Sequence, residues 1–332
     1  MADTETTGMW EELKLGYTES WGHPLLREEI ARLYRGIDQA GVLTTVPEEG
    51  IYLTMRALLK PGDHIICTFP GYQSLYEVAR SMGCEVSYWE PDEEQGWKFP
   101  IAELEKKMRS STRLVVVNFP HNPTGFAPGE EDFVSLVELV SGQGAYLLSD
   151  EMYRFLEVVD GSTLPAACDL YEKAISLSGL SNTFGLPGLR IGWLASQDEE
   201  VMQAVARLKD YTTICSSAPG EILAIIALRS KEAIIQSQVA RLRRNMAVLG
   251  EFFAARQDIF VWNPPIGGSI CFPRMLVVAD TYDFCEKLVK ETGIMLAPSR
   301  AFQFGDQHVR FGFGRENLPQ VLGRFAEYID QC

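Results

Sequence analysis

Three polar segments of the sequence carry side chains that could do chemistry, and each follows a short apolar run. Residues 118–125 (NFPHNPTG) follow LVVV, residues 150–153 (DEMY) follow AYLLS, and residues 178–192 follow AISL. They contain a carboxylate (Asp150), a guanidinium (Arg190), amides, hydroxyls and a phenol. Groups of these kinds bind anionic ligands and hold or transfer protons.

The apolar runs alternate with helical patterns along the first two-thirds of the chain. The patterns predict helices at 51–59 and 131–140. Strands are predicted at the positions 64–67, 114–117, 145–149, 174–177 and 191–195. Such alternation predicts an α/β fold with a three-layer α/β/α large domain and a mainly parallel sheet. Ligands of these sheets bind at the carboxyl ends of the strands, where the three polar segments begin.

The pattern changes beyond about residue 230. A long helix is predicted to about residue 253, followed by PPIGGSICF, a helix near 282–292 and a last helix after residue 316. We therefore predict an N-terminal arm at 1–25, a large domain at 26–230 and a smaller α+β domain at 231–332.

Charge and cysteine content exclude several classes of function. The formal net charge is -15 and the pI is about 4.8, which argues against nucleic-acid and membrane-surface partners. The seven cysteines form no CxxC pair, so we expect no metal site and reduced thiols in a cytoplasmic protein. The N-terminus has no signal-peptide pattern, and no apolar run is long enough to span a membrane.

The three segments share the motifs of a known family. NPxG at 122–125, DExY at 150–153 and S-x-x-S-N-x-x-G-x-x-G-x-R-x-G at 178–192 occur in the order and at the strand ends that the active site of class I/II aminotransferases has. The chain resembles this family from about Leu15 to its C-terminus. The resemblance implies the pyridoxal 5'-phosphate (PLP) enzyme fold known as fold type I, with PLP as cofactor.

The resemblance assigns contacts with the PLP ring. Asp150 would keep the pyridine nitrogen protonated, while Asn122 and Tyr153 would bind the phenolic oxygen. Tyr72, in the segment FPGY, would stack on the ring. Ordinary structural roles are the alternatives: a helix cap for Asp150, a plain turn for Asn122 and a core position for Tyr72.

The resemblance also assigns a phosphate site. Arg190 would bind the phosphate with its guanidinium, unless it forms a surface salt bridge, and Ser178 or Ser181 would add a hydroxyl. The phosphate loop corresponds to residues 45–50, where TVPEEG fits a capping box with a proline in the first helical turn. Glu48 and Glu49 place negative charge there, which is unfavourable unless both side chains point away.

Two further segments resemble the family's substrate and subunit contacts. In QHVRFGFGR, Arg310 would bind the α-carboxylate of an amino acid together with Asn122. Arg315 competes for that role, although its odd spacing from Arg310 would point it to the other face of a strand. Tyr17, in YTESWG, would reach the phosphate site of a second subunit, which implies a homodimer with shared active sites.

The chain departs from the family at the residue that carries the chemistry. The family has a Schiff-base lysine between Ser181 and Thr183, and here that residue is Asn182. An amide is neither nucleophilic nor basic at neutral pH, so Asn182 can neither attach the cofactor nor carry the proton. No other lysine is in register. Few residues precede Tyr17, and we therefore expect a less complete substrate pocket.

These features leave three functions open. The first is a PLP-dependent enzyme of aminotransferase type, acting on an amino acid and a 2-oxo acid by transamination or by lyase or elimination chemistry, with catalysis impaired by Asn182. The segments PEEGIYL, GLSNTFGLPGLRIGW and KDYTTICSSAP resemble a capreomycidine-synthase-like branch, which acts on arginine derivatives. The second is a non-catalytic homologue that binds PLP non-covalently, binds an amino-acid adduct or serves as a regulatory subunit. The third is a structural protein without cofactor.

Overall fold

The five apolar runs form strands of one seven-stranded sheet in the computed structural model, which describes residues 3–331. Two further strands of this sheet, at 42–45 and 85–89, were not predicted from the sequence. The strands of this sheet are β1 (Val42–Thr45), β2 (His64–Thr68), β3 (Glu85–Trp89), β4 (Thr112–Asn118), β5 (Tyr146–Asp150), β6 (Ala174–Gly179) and β7 (Gly192–Ser196). Their order is β1-β7-β6-β5-β4-β2-β3, and β7 runs opposite to the other six. The predicted mainly parallel sheet is confirmed.

Helices cover both faces of the sheet and continue into the C-terminal part. The α-helices of the described residues are α1 (Thr4–Glu11), α2 (Pro24–Ala31), α3 (Pro47–Leu58), α4 (Ser74–Ser81), α5 (Ile101–Lys107), α6 (Glu130–Gly142), α7 (Ala167–Leu170), α8 (Glu199–Lys209), α9 (Ala218–Arg229), α10 (Lys231–Ala254), α11 (Thr281–Thr292) and α12 (Leu318–Ile329). Short 3-10 helices lie at Gln39–Gly41, Pro187–Leu189 and Ser299–Phe302.

The apolar run of β4 shows how two core layers arise from one strand. Successive side chains of a strand point to opposite faces of the sheet. Leu114 and Val116 pack in the hydrophobic cluster that α3, α4 and α8 share, whereas Val115 and Val117 pack with α5 and α6. All four side chains are fully buried, which explains why the run is apolar at every position. The three-layer α/β/α prediction is confirmed.

The C-terminal part has small strands and a hydrophobic cluster largely of its own. Its strands are β8 (Phe260–Val261), β9 (Ile270–Cys271), β10 (Arg274–Met275), β11 (Ala297–Pro298) and β12 (Val309–Gly312). Strand β12 lies between β11 and β9, and α10, α11 and α12 contribute to the cluster. Helix α10 begins at residue 231; the domain boundaries at 25/26 and 230/231 stay predictions.

Gly125 joins the two parts of the chain closely. Its φ of +73° is a left-handed conformation that favours glycine. A Cβ atom there would lie 2.3 Å from the Pro265 ring and 2.7 Å from the Ile270 carbonyl oxygen, so only glycine allows the contact. The glycine of NPxG therefore lets the turn after β4 pack against the C-terminal part.

The described residues can be checked for disulfides, membrane-spanning helices and metal-binding groups. Six cysteines are free thiols, and Cys332 lies outside the described residues. None of the helices in residues 3–331 has the length and apolar character that crossing a membrane requires. Within the same residues, no group of three or more His, Cys, Asp or Glu side chains is placed to hold a metal ion.

Candidate active site

A cavity of about 260 Å³ opens at the carboxyl ends of β4, β5 and β6, where the sheet topology predicts a ligand site. The three polar segments of the sequence meet in its walls. The start of α3 and the segment FPGY complete them. The lining residues are Pro47, Glu48, Ile51, Tyr72, Asn118, Asn122, Asp150, Met152, Tyr153, Leu177, Ser181, Asn182 and Arg190.

Asp150, the last residue of β5, is a buried carboxylate whose charge has few stabilising partners. Its Oδ1 accepts a 3.0 Å hydrogen bond from the Met152 N–H. Burial raises the pKa of Asp150 to about 7, the Met152 bond opposes this rise, and the neighbouring acids Glu151 and Glu48 add to it. The site therefore favours a ligand that brings a proton or positive charge to this carboxylate.

Asn118 connects the ends of β4 and β5 with the NPxG turn. Its Nδ2 donates to the Asp150 carbonyl oxygen (3.1 Å), and its Oδ1 accepts from the Asn122 N–H (2.7 Å). The sequence-based site did not include Asn118. The signal was present, since an asparagine that ends a fully buried apolar strand needs polar partners.

Arg310 does not itself line the cavity, but its hydrogen bond to Asn122 ties the C-terminal part to the cavity wall. Arg310 lies on β12 and its Nη1 donates a 3.0 Å hydrogen bond to Asn122 Oδ1. The guanidinium also lies 5.2 Å from the centre of the Phe302 ring. Arg315 lies beyond the end of β12 and is exposed, so it does not compete for this position.

Two phenols line the cavity. Tyr153 is buried, and burial raises its pKa to about 12. Tyr72 is half-exposed, and its pKa is raised first by partial burial and then by the nearby carboxylate of Glu48. Both phenols are therefore protonated at neutral pH. Tyr153 can donate a hydrogen bond to a ligand, whereas the Tyr72 hydroxyl already has the Glu48 carboxylate as a partner. The core position considered for Tyr72 is wrong.

Asn182 lies in the cavity wall beside Ser181, at the place where the motif puts the family's lysine. The turn is held by the buried hydroxyl of Thr183, which donates to the carbonyl oxygens of Met152 (3.1 Å) and Arg154 (2.8 Å). No residue lining this cavity, in the part of the chain that the structure describes, is a lysine.

Lys209, which the sequence places in a helix out of register with the motif, is the last residue of α8. Its side chain is fully buried, and its Nζ donates a hydrogen bond to the Ser20 carbonyl oxygen. Burial lowers its pKa, and the nearby carboxylate of Glu49 opposes that shift. Lys209 is not among the residues that line the cavity, and so it does not replace the missing lysine.

Arg190 also lines the cavity, and its backbone is strained. Its φ of 56° is left-handed, which costs about 1–2 kcal/mol for a residue other than glycine. Its Nη1 donates to the Pro187 carbonyl oxygen (3.0 Å), and the structure pairs it with no acid among the described residues. The predicted alternative of a surface salt bridge is therefore wrong. Backbone strain of this kind concentrates at functional sites.

Gly192 brings the start of α3 close to this arginine. A Cβ atom at Gly192 would lie 2.6 Å from the Pro47 ring and 2.7 Å from the Ser178 carbonyl oxygen. The last glycine of the motif thus lets the first turn of α3 approach the ends of β6 and β7. Of the two serines considered, Ser181 lines the cavity and Ser178 does not. Ser178 instead directs its hydroxyl to the Glu151 carbonyl oxygen at 3.5 Å.

The predicted capping box at the start of α3 is wrong. Helix α3 begins at Pro47, four residues before the predicted helix, and its N-cap is Val46, which has no side chain able to cap. The Thr45 hydroxyl donates instead to the Glu49 carboxylate at 2.9 Å. The first-turn N–H groups of α3 are therefore left without a side-chain cap, as an anion-binding helix start requires.

The two glutamates of that turn point in different directions. Glu49 does not line the cavity, and its carboxylate accepts hydrogen bonds from the threonine cluster Thr45, Thr212 and Thr213. Its side chain therefore points away from the cavity, and a contact of residue 49 with the cofactor through the helix start stays a prediction. Glu48 lines the cavity and accepts a hydrogen bond from the Ser74 hydroxyl. The condition under which the two charges would not oppose a phosphate is therefore met by Glu49 and not by Glu48.

Comparison with known proteins agrees with this geometry. The family model described as aminotransferase class I and II matches residues 12–325. The chain belongs to the class I and II aminotransferase family. Capreomycidine synthase of Streptomyces vinaceus is 32% identical over 313 residues, which are 93% of this chain and 80% of that protein.

Solved aminotransferase structures have the same fold. A PLP-dependent aminotransferase from Streptococcus suis has a TM-score of 0.92 and 31% identity, covering 98% of this chain and 87% of that one. The aspartate aminotransferase of Thermotoga maritima has a TM-score of 0.87 and 26% identity, with the same coverage. The predicted family and fold are confirmed.

The cavity of this aminotransferase homologue fits PLP at most of its groups. Asp150 is a buried carboxylate that needs the proton of a pyridine nitrogen. Asn122 keeps its Nδ2 free of hydrogen bonds to described residues, while Oδ1 is taken by Arg310. Arg190, Ser181 and the uncapped start of α3 are donors for a phosphate. Two residues do not fit the family's use of PLP: Asn182 cannot bind it covalently, and Glu48 adds negative charge.

Tyr17 is the predicted contact that lies outside this cavity. Its side chain is 85% exposed and is not part of the cavity wall. The prediction assigns Tyr17 to the site of a second subunit, and that role stays a prediction.

Proposed function

We propose that this chain binds PLP non-covalently and belongs functionally with the PLP-dependent enzymes that transform amino acids, with lysine-dependent catalysis impaired by Asn182. The observation that carries the proposal is the buried Asp150 carboxylate, whose raised pKa reflects burial beside other acids and no cationic partner. A protonated ring nitrogen supplies the missing charge.

The residues around the cavity have distinct roles in this proposal. When bound, PLP supplies an electron sink for the bonds at the α-carbon of an amino acid. Asp150 would hold the proton at the ring nitrogen, and Asn122 and Tyr153 would donate hydrogen bonds to the phenolic oxygen. Tyr72 would cover one face of the ring. The phosphate would be bound by Arg190, Ser181 and the first-turn N–H groups of α3.

The substrates we propose are an amino acid and a 2-oxo acid. Arg310, already oriented by Asn122, would bind the α-carboxylate through two parallel hydrogen bonds. Family membership supports transamination, and the similarity to a capreomycidine synthase supports lyase or elimination chemistry as the variant.

Asn182 supports a second candidate, a non-catalytic homologue that binds PLP or an amino-acid adduct, or that regulates an active partner. An amide neither forms a covalent bond with the cofactor nor moves a proton at neutral pH. Among the described residues no lysine lines the cavity in its place. The two candidates share the same PLP site and differ in whether any turnover remains.

The experiment compares the chain with Asn182→Lys and Asn182→Gln after incubation with PLP. Equilibrium dialysis measures binding, and mass spectrometry after borohydride treatment measures covalent attachment. We expect all three proteins to bind PLP and only Asn182→Lys to gain its mass, at residue 182. Transamination by Asn182→Lys would favour the impaired enzyme, and its absence the non-catalytic homologue. A covalent adduct of the unchanged chain contradicts the role of Asn182, and failure of all three to bind PLP contradicts the proposal.

We infer that the chain is a homodimer that completes the cavity with Tyr17. The segments at 17–20 and 210–216 are tied together, since Thr18 donates to the Ser216 carbonyl oxygen (3.4 Å) and Ser20 to Asp210 (2.6 Å). Both segments nevertheless expose large side chains: Tyr17 is 85% exposed, and Tyr211 and Ile214 are also exposed, as is Leu15 just before the first segment. An exposed patch of this kind is typical of a protein interface.

Sedimentation equilibrium tests the dimer. Tyr211→Ser combined with Ile214→Ser should increase the monomer fraction and weaken PLP binding, because each site loses the partner's Tyr17. Tyr17→Phe should weaken PLP binding without changing the dimer. A monomeric parent chain with full PLP affinity contradicts the inference.

The cysteines support a cytoplasmic location as part of the proposal. The six described cysteines are free, and five of them are buried. Free thiols of this number are typical of a reducing compartment. Localisation of the tagged chain in its source cells tests this, and secretion contradicts it.

A further inference from the structure

Glu48 places a negative charge in the cavity wall at the start of α3, the helix whose first-turn N–H groups would bind a phosphate. It is the second residue of α3, and its side chain lines the cavity together with Arg190. The neighbouring Glu49 has its carboxylate satisfied by threonines outside the cavity. The helix start therefore presents one acid to the ligand.

The cavity does not neutralise this charge fully. The charged side chains of its wall are Glu48, Asp150 and Arg190, so acids outnumber bases. A lysine at residue 182 would restore the balance, whereas Asn182 is neutral. The Glu48 carboxylate is also close enough to raise the pKa of Asp150, after the larger effect of burial.

A phosphate at this position meets opposing interactions. The uncapped N–H groups of α3 and the guanidinium of Arg190 attract an anion. The Glu48 carboxylate repels it, and at the partly exposed wall of a cavity such repulsion is only partly screened by water. In the proposed complex the ring nitrogen is protonated beside Asp150, so the ring has no negative charge for Glu48 to repel.

Resting on the proposed function, we propose that Glu48 sets the cavity's preference between phosphorylated and unphosphorylated cofactor. Its charge weakens the binding of PLP and leaves the binding of pyridoxal, which lacks the phosphate, nearly unchanged. Glu48 is in this sense a specificity-determining residue of the cavity.

Three variants separate charge from shape. Glu48→Gln removes the charge and keeps the ability to accept a hydrogen bond from Ser74. Glu48→Asp keeps the charge on a shorter side chain. Glu130→Gln is the matched control, because Glu130 is also in a helical first turn, that of α6, and does not line this cavity. Dissociation constants for PLP and for pyridoxal are measured by equilibrium dialysis at low and high salt.

We expect Glu48→Gln to bind PLP about tenfold more tightly than the parent, which corresponds to about 1.4 kcal/mol. Pyridoxal affinity should change less than about twofold, and Glu48→Asp and Glu130→Gln should match the parent for both ligands. The tenfold gain should shrink in 1 M salt, where the Debye length is about 3 Å.

Two outcomes overturn the inference and are distinguishable. If the parent binds PLP and Glu48→Gln binds it no more tightly, or gains equally for pyridoxal, the Glu48 inference fails and the proposed function stands. If neither the parent nor Glu48→Gln binds PLP, both fail.

Discussion

Arg310 Nη1 and Asn122 Oδ1 are joined by a 3.0 Å hydrogen bond, although 188 residues separate them in the chain. The bond connects β12 of the C-terminal part with the NPxG turn after β4. Because Asn122 Oδ1 is occupied in this way, the amide of this cavity-lining residue has its Nδ2 left as a donor. One contact thus orients both the proposed ligand of the α-carboxylate and the proposed ligand of the cofactor ring.

Arg310→Lys should separate substrate binding from cofactor binding. A lysine cannot form two parallel hydrogen bonds with a carboxylate, and a charge-assisted hydrogen bond is worth about 1.5–3 kcal/mol. In an Asn182→Lys background we expect the KM for the amino acid to rise at least about tenfold, with PLP affinity nearly unchanged. Steady-state kinetics and dialysis measure both. A loss of PLP affinity as large as the rise in KM would contradict the assignment.

Asp150→Asn should stabilise the cofactor-free chain at neutral pH. The folded pKa of Asp150 is raised from 3.8 to about 7, so the buried charge destabilises the fold once it ionises. The penalty is absent below about pH 4, grows between pH 4 and 7 and is constant above. We expect a gain on the order of 4 kcal/mol at pH 8 and none at pH 4, since the pKa rises by about three units and each unit is about 1.4 kcal/mol.

Thermal unfolding of the parent and Asp150→Asn at pH 4, 6 and 8 measures this difference. The same variant should bind PLP more weakly, because the ring nitrogen loses its carboxylate. If the parent is as stable as Asp150→Asn at pH 8, the ionised Asp150 carboxylate does not destabilise the fold and the prediction is wrong.

Glu49→Gln should affect stability in the opposite pH direction. Burial raises the pKa of Glu49, but hydrogen bonds from Thr212, Thr45 and Thr213 outweigh it, and the net pKa is lowered. Its ionised form therefore stabilises the fold above the unfolded pKa, and this contribution is lost as the pH falls through the lower folded value. We expect a loss of about 1–2 kcal/mol at pH 7 that disappears in acid. Urea unfolding at pH 7 and in acid measures this loss of stability, with Glu130→Gln as control.

Arg190→Gly should weaken PLP binding without destabilising the fold. Arg190 has a left-handed φ of 56°, which glycine adopts without strain. We expect the melting temperature to stay the same or rise, while PLP affinity falls at least about tenfold through loss of the charged donor. Arg190→Asn, which tolerates the same backbone, should behave similarly. A fall in melting temperature for Arg190→Gly would show that the arginine side chain supports the fold.

Sequence alone determined the central elements and most of the cavity wall. The apolar runs predicted five of the seven strands of the sheet, and the parallel topology required the carboxyl ends of parallel strands to meet at one edge. Asn122, Asp150, Tyr153 and Arg190 therefore could be placed together from local patterns. The same reasoning identified Asn182 at the family's lysine position, because the motif spacing around it is local.

Only the tertiary structure decided which neighbouring side chains face the cavity. Glu48 lines it while Glu49 turns to the threonine cluster, and Ser181 lines it while Ser178 does not. Side-chain direction at these positions depends on contacts with elements far along the chain, such as the segment after α8. Local patterns carry no information on such contacts.

For the same reason, local patterns could not show the contacts of Asn118 and Lys209 or the pairing of Arg310 with Asn122. Each of these contacts joins residues that are distant in sequence. The sequence thus determined that a PLP-type cavity would exist and that residue 182 could not serve it covalently. The packing of distant elements decided which charges the cavity contains, because each side chain takes the direction in which its polar atoms find partners.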